Sequence, residues 1–185
     1  MTQEQTYQVV AEHGDVELRR YAPCVLAEVV VSGSAERAGN TAFRPLLSYI
    51  SGRNRSRVTL DMTSPVLQSN EKLAMTAPVI QQATTEERWM VSFVLPGSRE
   101  IEDYPEPLDA SVTLRAVPTQ DAAVLRWSGR WTSSNVSRRT EQLRAVIGDA
   151  GWTEAGEPRW ARFDPPWKPA FARRNEIVIP VSIAS

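Results

Sequence analysis

The fold of this chain is decided around one stretch near its C-terminus, Ala161-Arg-Phe-Asp-Pro-Pro-Trp-Lys-Pro-Ala-Phe-Ala-Arg-Arg-Asn-Glu-Ile-Val-Ile179. Its three prolines exclude a helix interior, because each ring removes a backbone donor and fixes φ. The run from Glu176 to Val181 is rich in β-branched residues and predicts a strand. A stiff loop therefore leads into a buried strand. Arg173 and Arg174 lie at the junction, where strand alternation points them to opposite faces and lets one face a cavity.

Composition limits the class of protein. The chain has 185 residues, a net charge of −1 and one cysteine, Cys24. This length predicts a single domain over residues 1–185. We expect no nucleic-acid partner, because such binding needs a basic surface. The first residues lack the features of a signal peptide, no stretch approaches about 18 apolar residues, and Cys24 has no intramolecular disulfide partner, so we expect a cytoplasmic protein without a membrane span.

Hydrophobic patterns predict the elements of the first half. Alternating residues on either side of Gly14-Asp15 predict a hairpin, and a polar turn is predicted over Gln81–Arg88. A helix is predicted from an apolar stripe, with Pro45 expected to kink it or to mark its regular start. The predicted strands are Tyr7–Ala11, Val16–Tyr21, Cys24–Val31, Leu73–Ile80 and Trp89–Leu95, with Val58–Leu67 also extended, and the stripe consists of Ala42, Phe43, Leu46, Leu47 and Ile50.

The second half repeats this order. Strands are predicted at 112–117, 124–128, 159–163 and 176–181, with a helix between the second and the third. The predicted helix has Val136, Thr140, Leu143 and Ile147 on one face, and Ser134 is its expected N-cap. Two pseudo-repeats, about 7–96 and 111–183, thus form a duplicated β-α-β-β unit. This predicts an α+β fold with a largely antiparallel sheet.

Five short motifs follow one another along nearly the whole chain: Glu17-Leu-Arg-Arg-Tyr21, Met75-Thr-Ala-Pro-Val79, Phe93-Val-Leu-Pro96, Asp164-Pro-Pro166 and Arg173-Arg-Asn-Glu176. In identity and order they resemble the motifs of the SOUL haem-binding proteins. The resemblance implies a twisted, barrel-like antiparallel sheet of about eight strands with two helices packed outside, similar to bacterial effector-binding domains. It also implies a small-molecule tetrapyrrole as partner, with haem or a metal-free porphyrin as cofactor.

The residues themselves favour binding over catalysis. His13 is the only histidine, and the sequence has no zinc-ligand cluster and no glycine-rich phosphate loop. Leu125, Trp127 and Trp131 are predicted to share one strand face, and Trp167 lies in the stiff loop. Such surfaces, with nearby cations, suit a flat ligand with carboxylates at one edge. The same tryptophans are equally suited to filling a core.

The resemblance further implies a pocket between the first helix and the loop before the last strand. Its expected residues are Phe43, Arg44, Leu47, Ser48, Met75, Trp167, Lys168, Arg173 and Arg174. The resemblance implies that some members place a lysine where Ser48 stands, so Arg44 or Arg53 is expected to substitute as a propionate partner. Met62-Thr-Ser-Pro-Val66 duplicates the motif at Met75, and the extra copy is expected to remodel the pocket or to build a dimer contact.

His13 is the candidate axial ligand of haem iron, with Met62 and Met75 as alternatives. The resemblance implies that some members hold haem through hydrophobic and propionate contacts, so weak or absent axial ligation is expected. The preferred function is a haem or porphyrin carrier or buffer. Two alternatives stay open: an enzyme that removes or inserts the iron of a tetrapyrrole, and an effector-binding module with a preference for cationic compounds and an acidic residue deep in its cleft.

Overall fold

The computed structural model describes residues 3–55, 73, 76–77, 79–85, 88–97, 99–164 and 167–183. Met62, Met75 and the extended segment predicted at 58–67 lie outside them. The described α-helices are α1 (Ala35–Ile50) and α2 (Ser133–Asp149), with 3-10 turns at Ile101–Asp103 and Ala170–Ala172. The described strands are β1 (Gln3–Glu4), β2 (Tyr7–His13), β3 (Val16–Tyr21), β4 (Cys24–Ser32), β5 (Asn54–Arg55), β6 (Thr76–Ala77), β7 (Val79–Thr85), β8 (Arg88–Val94), β9 (Glu106–Pro107), β10 (Val112–Val117), β11 (Gln120–Ser128), β12 (Thr153–Glu154), β13 (Arg159–Arg162) and β14 (Arg174–Ser182).

The main sheet is antiparallel and has ten strands. Nine follow the order β10-β4-β8-β7-β13-β14-β11-β3-β2, and β12 pairs with β14 beside this path. The sheet is not closed, because β10 and β2 remain as its edges. Helix α1 packs on β4 and β8, and α2 packs on β11 and β14. The predicted α+β fold, an antiparallel barrel-like sheet with two outer helices, is confirmed. Within the described residues, neither helix is long and apolar enough to span a membrane.

The strand order is symmetrical about the β7–β13 pair. On one side lie β8 and β4, and on the other lie β14 and β11, so each helix covers an equivalent group of strands. The next strand on each side comes from the other half of the chain. Strand β3 pairs with β11, and β10 pairs with β4. Each half therefore donates a strand to the sheet of the other half.

The helices carry the buried faces that the sequence predicts. In α2 the buried residues are Val136, Thr140, Leu143 and Ile147, which confirms the predicted stripe. The predicted N-cap at Ser134 is wrong by two residues. Thr132 is the cap, and its side-chain oxygen accepts a hydrogen bond from the Asn135 backbone N–H at 3.3 Å. In α1 the buried stripe includes Ala42 and Leu46.

The polar turn predicted over Gln81–Arg88 is wrong, because β7 continues through Val79–Thr85. Gln81 pairs with Val91 on β8 and with Trp160 on β13, so it occupies a central strand. Its side chain is buried beneath a glycine of α1: a Cβ on Gly39 would lie 3.2 Å from Gln81 Nε2. Polarity predicted exposure, but a glycine in the covering helix makes room for the buried amide.

Helix α1 continues through Pro45. A proline in a helix interior removes a hydrogen bond and costs about 3 kcal/mol, although its rigidity returns about 0.4–1 kcal/mol through the unfolded chain. We expect Pro45→Ala to raise the free energy of unfolding by about 1–3 kcal/mol, measured by urea denaturation. Pro118→Ala, in the exposed connection between β10 and β11, is the control and should not stabilise the protein. An unchanged or lowered stability of Pro45→Ala would show that the proline fits its position without strain.

Candidate ligand-binding site

One flank of α1 follows the middle of the sheet. Gly39 lies over Gln81, and one turn later the Phe43 ring packs on Phe93 with 5.7 Å between ring centroids. Phe93 pairs with Val79, which lies two residues before Gln81 on β7. Moving from Gln81 to Val79 goes backwards along β7. Because β7 and β13 are antiparallel, the same movement goes forwards along β13, towards its C-terminal end. The flank of α1 therefore advances towards the loop that follows β13.

The four residues predicted on α1 lie in its last two turns. Phe43 is 38% exposed, and Leu47, one turn further on, is partly buried against the core beneath α1. Arg44 is exposed and makes no ion pair with another described residue. Ser48 is half-buried. This end of the helix thus presents an aromatic ring and a cation to solvent.

The loop between β13 and β14 exposes two large aromatic side chains. Trp167 is 83% exposed and Phe171 is 81% exposed. Phe171 lies in the 3-10 turn Ala170–Ala172. Large aromatic side chains normally bury most of their surface in cores or interfaces. Two of them in one short loop therefore form an apolar surface that is available to a ligand.

Asp164, at the start of this loop, contacts both its middle and its end. Its carboxylate accepts hydrogen bonds from the Arg174 backbone N–H and from Lys168 Nζ, both at 2.6 Å. These two bonds, the backbone bond first, hold the pKa of Asp164 below its usual value. Arg173 Nε donates to the Lys168 carbonyl at 2.7 Å. The loop is thus held by polar contacts, while its aromatic rings remain exposed.

The other predicted aromatic face belongs to the core. Leu125 and Trp127 are buried under α2, and Trp131 stacks on Trp127 with 5.9 Å between ring centroids. The Arg162 guanidinium carbon lies 4.4 Å from the centre of the Trp131 ring. Of the two interpretations left open by the sequence, core packing is the one that describes these rings.

His13 lies far across the sheet from α1. It ends β2, at one edge, and its ring packs edge-on against Trp152 with 5.0 Å between ring centroids. Five strands separate β2 from β8, the strand that carries Phe93 under Phe43. Neighbouring strands lie about 4.8 Å apart. The structure therefore does not bring His13 together with Phe43, and its role as axial ligand stays a prediction.

A cavity opens on the concave face of the sheet, away from the helices. It encloses about 640 Å³, including the solvent at its open side. Residues of β2, β3, β4, β7, β10, β11, β13 and β14 contribute to it, so the curved sheet wraps around it. It is lined by Glu4, Gln5, Tyr7, Arg19, Tyr21, Cys24, Leu26, Ile80, Val117, Gln120, Arg159, Ala161, Phe163, Arg174, Glu176 and Val178.

A buried ion-pair cluster forms one wall of this cavity. Arg19 and Glu176 are each 1% exposed, and Arg19 Nη1 lies 2.9 Å from Glu176 Oε2. Arg174 Nη2 and Arg126 Nε lie 2.8 and 3.2 Å from Glu176 Oε1. Burial raises the pKa of Glu176, but the hydrogen bonds and charges of Arg19 and Arg174 outweigh it and lower the pKa overall. The Glu176 carboxylate is therefore charged, and three arginines bind its two oxygens.

Two further glutamates complete the cluster. Arg19 Nε donates to the Glu17 carboxylate at 2.6 Å, and Arg174 Nη1 donates to the Glu4 carboxylate at 3.0 Å. Among the described residues, the cluster thus contains three arginines and three glutamates. Its net charge is zero. The predicted cation Arg174 consequently lies in the concave cavity rather than beside α1.

The structure groups some of the predicted residues and separates others. Trp167, Lys168 and Arg173 share one loop, towards which the α1 flank advances. Met75 lies outside the described residues. Sequence reasoning missed the concave cavity, apart from the expectation that one of the paired arginines faces a cavity. The sequence did contain a signal for the cavity. Arg19 and Glu176 are charged residues on predicted strands, and each has an apolar neighbour that alternation points to the other face.

Comparison with known proteins identifies relatives of this fold. The crystal structure of the EcmrR C-terminal domain matches with a TM-score of 0.66 and 13% identity over 96% of this chain and 99% of that chain. A cryo-EM structure of an EcmrR–DNA complex matches with a TM-score of 0.65 and 13% identity over 96% of this chain and 58% of that chain. A hydrolase from Listeria innocua matches with a TM-score of 0.55 and 12% identity over 94% of each chain. At such identities these structures show the fold alone.

The family comparison covers more of the sequence. No curated protein matches the chain significantly. The family model described as SOUL heme-binding protein matches residues 2–180, which is nearly the whole sequence. The protein therefore belongs to the SOUL heme-binding protein family.

Proposed function

We propose that the protein binds haem or a related porphyrin between α1 and the loop residues 167–173, as a carrier or buffer. Family membership supports a tetrapyrrole as the ligand class. The observation that carries the choice of site is the exposure of Trp167 and Phe171 in a loop towards which the flank of α1 advances. When bound, haem supplies a redox-active iron, but carriage requires only that the protein cover the ring and hold its propionates.

The exposed aromatic rings fit the flat face of a porphyrin. Trp167 and Phe171 are free to cover the macrocycle, and Phe43 offers a third ring from the helix. Covering about 100 Å² of apolar surface stabilises a complex by about 2.5 kcal/mol. The two loop rings together therefore provide a substantial part of the expected affinity.

Cations close to these rings fit the propionates. Arg44 is exposed and outside any ion pair with a described residue, so a carboxylate can approach it directly. Lys168 is paired with Asp164 at the surface, and such pairs contribute only about 0–1 kcal/mol. A propionate can replace Asp164 as its partner at small cost. We therefore expect Arg44 to bind one propionate and Lys168 to bind the other.

A cationic effector is less well supported. The concave cavity does contain a buried acidic residue, Glu176, but Arg19, Arg126 and Arg174 already contact its carboxylate. A cationic ligand would have to displace one of these arginines from a buried pair. We therefore favour the tetrapyrrole.

Titration of the purified protein with hemin tests the proposal. We expect a saturable Soret change with tryptophan quenching, and at least 10-fold weaker binding in the Trp167→Ala/Phe171→Ala variant, because two covering rings are lost. Leu108→Ala removes an exposed apolar side chain elsewhere and should bind like the wild type. Absence of saturable binding by the wild-type protein would end the proposal. If the double variant bound hemin as tightly as the wild type, the loop would not be part of the binding site.

Two variants of the same titration test the propionate contacts. Arg44→Gln should weaken hemin binding by about 5-fold, because an exposed ion pair contributes up to about 1 kcal/mol. Arg37→Gln is the matched control, since Arg37 is also exposed on α1, about two turns away, and makes no ion pair with another described residue. Equal weakening by both variants would indicate general attraction to hemin instead of a specific contact.

The spectrum of His13→Ala tests axial ligation. Because His13 packs against Trp152 at the far edge of the sheet, we expect the Soret maximum of the hemin complex to be unchanged. A shifted maximum would establish His13 as a ligand and would require a different site.

A further inference from the structure

Among the described residues that line the concave cavity, Arg159 is a cation that no described carboxylate balances. Arg159, on β13, donates a hydrogen bond from Nη2 to Gln120 Oε1, and it forms no ion pair with another described residue. Glu28 influences Arg159 electrostatically, but its carboxylate already accepts from Arg115 at 2.7 Å and from Ser92 at 3.1 Å. Burial lowers the pKa of Arg159, and the neighbouring charge of Arg115 lowers it further. The site thus favours an added negative charge.

The sum of the charges around the cavity also favours an added negative charge. The three arginines and three glutamates of the cluster around Glu176 cancel, and so do Arg115 and Glu28. Among the described charged residues that line or border the cavity, Arg159 is the positive charge that remains. A partly buried charge without an opposite charge beside it is unfavourable, and a single anion in the cavity would supply that opposite charge.

The walls next to Arg159 are apolar. Leu26 and Val117 are buried in one cluster, with Ile80 and Cys24 packed against them, and all four residues line the cavity. The space inside the cavity is limited, because its volume of about 640 Å³ includes the solvent at its open side. A ligand that reaches Arg159 must therefore have a slim apolar body and one anionic end.

We propose that the concave cavity is a second ligand site, which binds a slim amphipathic monocarboxylate such as a medium-chain fatty acid. Its carboxylate contacts Arg159 and the Gln120 amide, and its chain lies against Leu26, Ile80 and Val117. The site is separate from the porphyrin site proposed above, because the cavity and α1 lie on opposite faces of the sheet. It does not depend on haem binding.

Calorimetric titration with sodium decanoate tests this site. We expect one molecule to bind per chain and the affinity of Arg159→Gln to fall at least 10-fold, because a charge-assisted hydrogen bond is lost. Arg20→Gln, on β3 with its guanidinium at the surface, is the control and should bind like the wild type. Decyltrimethylammonium has the same chain with the opposite charge and should not bind. Equal affinity of Arg159→Gln, or tighter binding of the cation, would overturn the proposal.

The single cysteine gives a second measurement on the unaltered protein. Cys24 lines the cavity, and burial raises the pKa of its thiol to about 11, so alkylation by iodoacetamide should be slow. Saturating decanoate should slow it further, and it should leave the hemin titration unchanged. Labelling that decanoate does not slow would overturn the site. Displacement of decanoate by hemin, one for one, would overturn its separation from the porphyrin site.

Discussion

Replacing Arg19 by methionine is expected to destabilise the protein by about 3–5 kcal/mol, because it leaves the Glu176 carboxylate buried without its buried partner. Both side chains are almost completely inaccessible, and two hydrogen bonds join them at 2.9 and 3.3 Å. Arg126 and Arg174 remain as partners but are more exposed. The free energy of unfolding in urea measures the effect.

The neighbouring arginine provides a matched control. Arg20 points to the other side of β3 and pairs with Asp121 at the surface, so Arg20→Met should change the unfolding midpoint little. The double variant Arg19→Met/Glu176→Leu should recover much of the loss, because it removes both buried charges. Similar midpoints for Arg19→Met and Arg20→Met would show that the buried pair is not important for stability.

Glu176 should also make the fold sensitive to acid. Its pKa is lower in the folded protein than the ordinary value of 4.5, so its contribution to stability is fully present above that pH. The contribution is lost as the pH falls through the folded-state pKa, because protonation then weakens its pairs with Arg19 and Arg174. We expect the stability of the wild type to fall steeply in this range.

The variant Glu176→Gln isolates this contribution. At pH 7 it should be less stable than the wild type by about 3–5 kcal/mol, since the buried guanidinium of Arg19 loses its buried carboxylate. Below pH 4.5 its stability should depend less on pH. Asp121→Asn removes a more exposed carboxylate whose pKa is also lowered, and it should retain most of the acid dependence, because solvent screens the pair of Asp121 with Arg20. Urea unfolding at pH 7, 5, 4 and 3 measures all three proteins, and parallel curves for Glu176→Gln and the wild type would contradict the assignment.

Local patterns predicted most of the fold. Period-two alternation located the hairpin before Tyr21 and the long strand from Cys24, and the helical stripe ending at Ile147 gave the buried face of α2. The main wrong prediction was the polar turn at Gln81. The side chain of Gln81 is buried because a glycine on a distant helix, Gly39 of α1, leaves room for it. Composition within β7 carries no information about that contact.

The site was only partly predictable for a related reason. The sequence marks the loop around Trp167 by its prolines and predicts that Arg173 and Arg174 diverge, but it does not indicate which face carries a cavity. Arg19 and Glu176 are 157 positions apart, and only strand pairing through β11 brings them together. Long-range register, which sets such contacts, is not encoded in any local pattern.

The exchange of strands across the β7–β13 pair has a consequence for how the chain holds together. Without β10, the first half would expose an open backbone edge at β4, and without β3 the second half would expose one at β11. Such edges invite pairing with other molecules. A half-length chain of this design would be stable only as a reciprocal pair, each copy closing the edge of its companion.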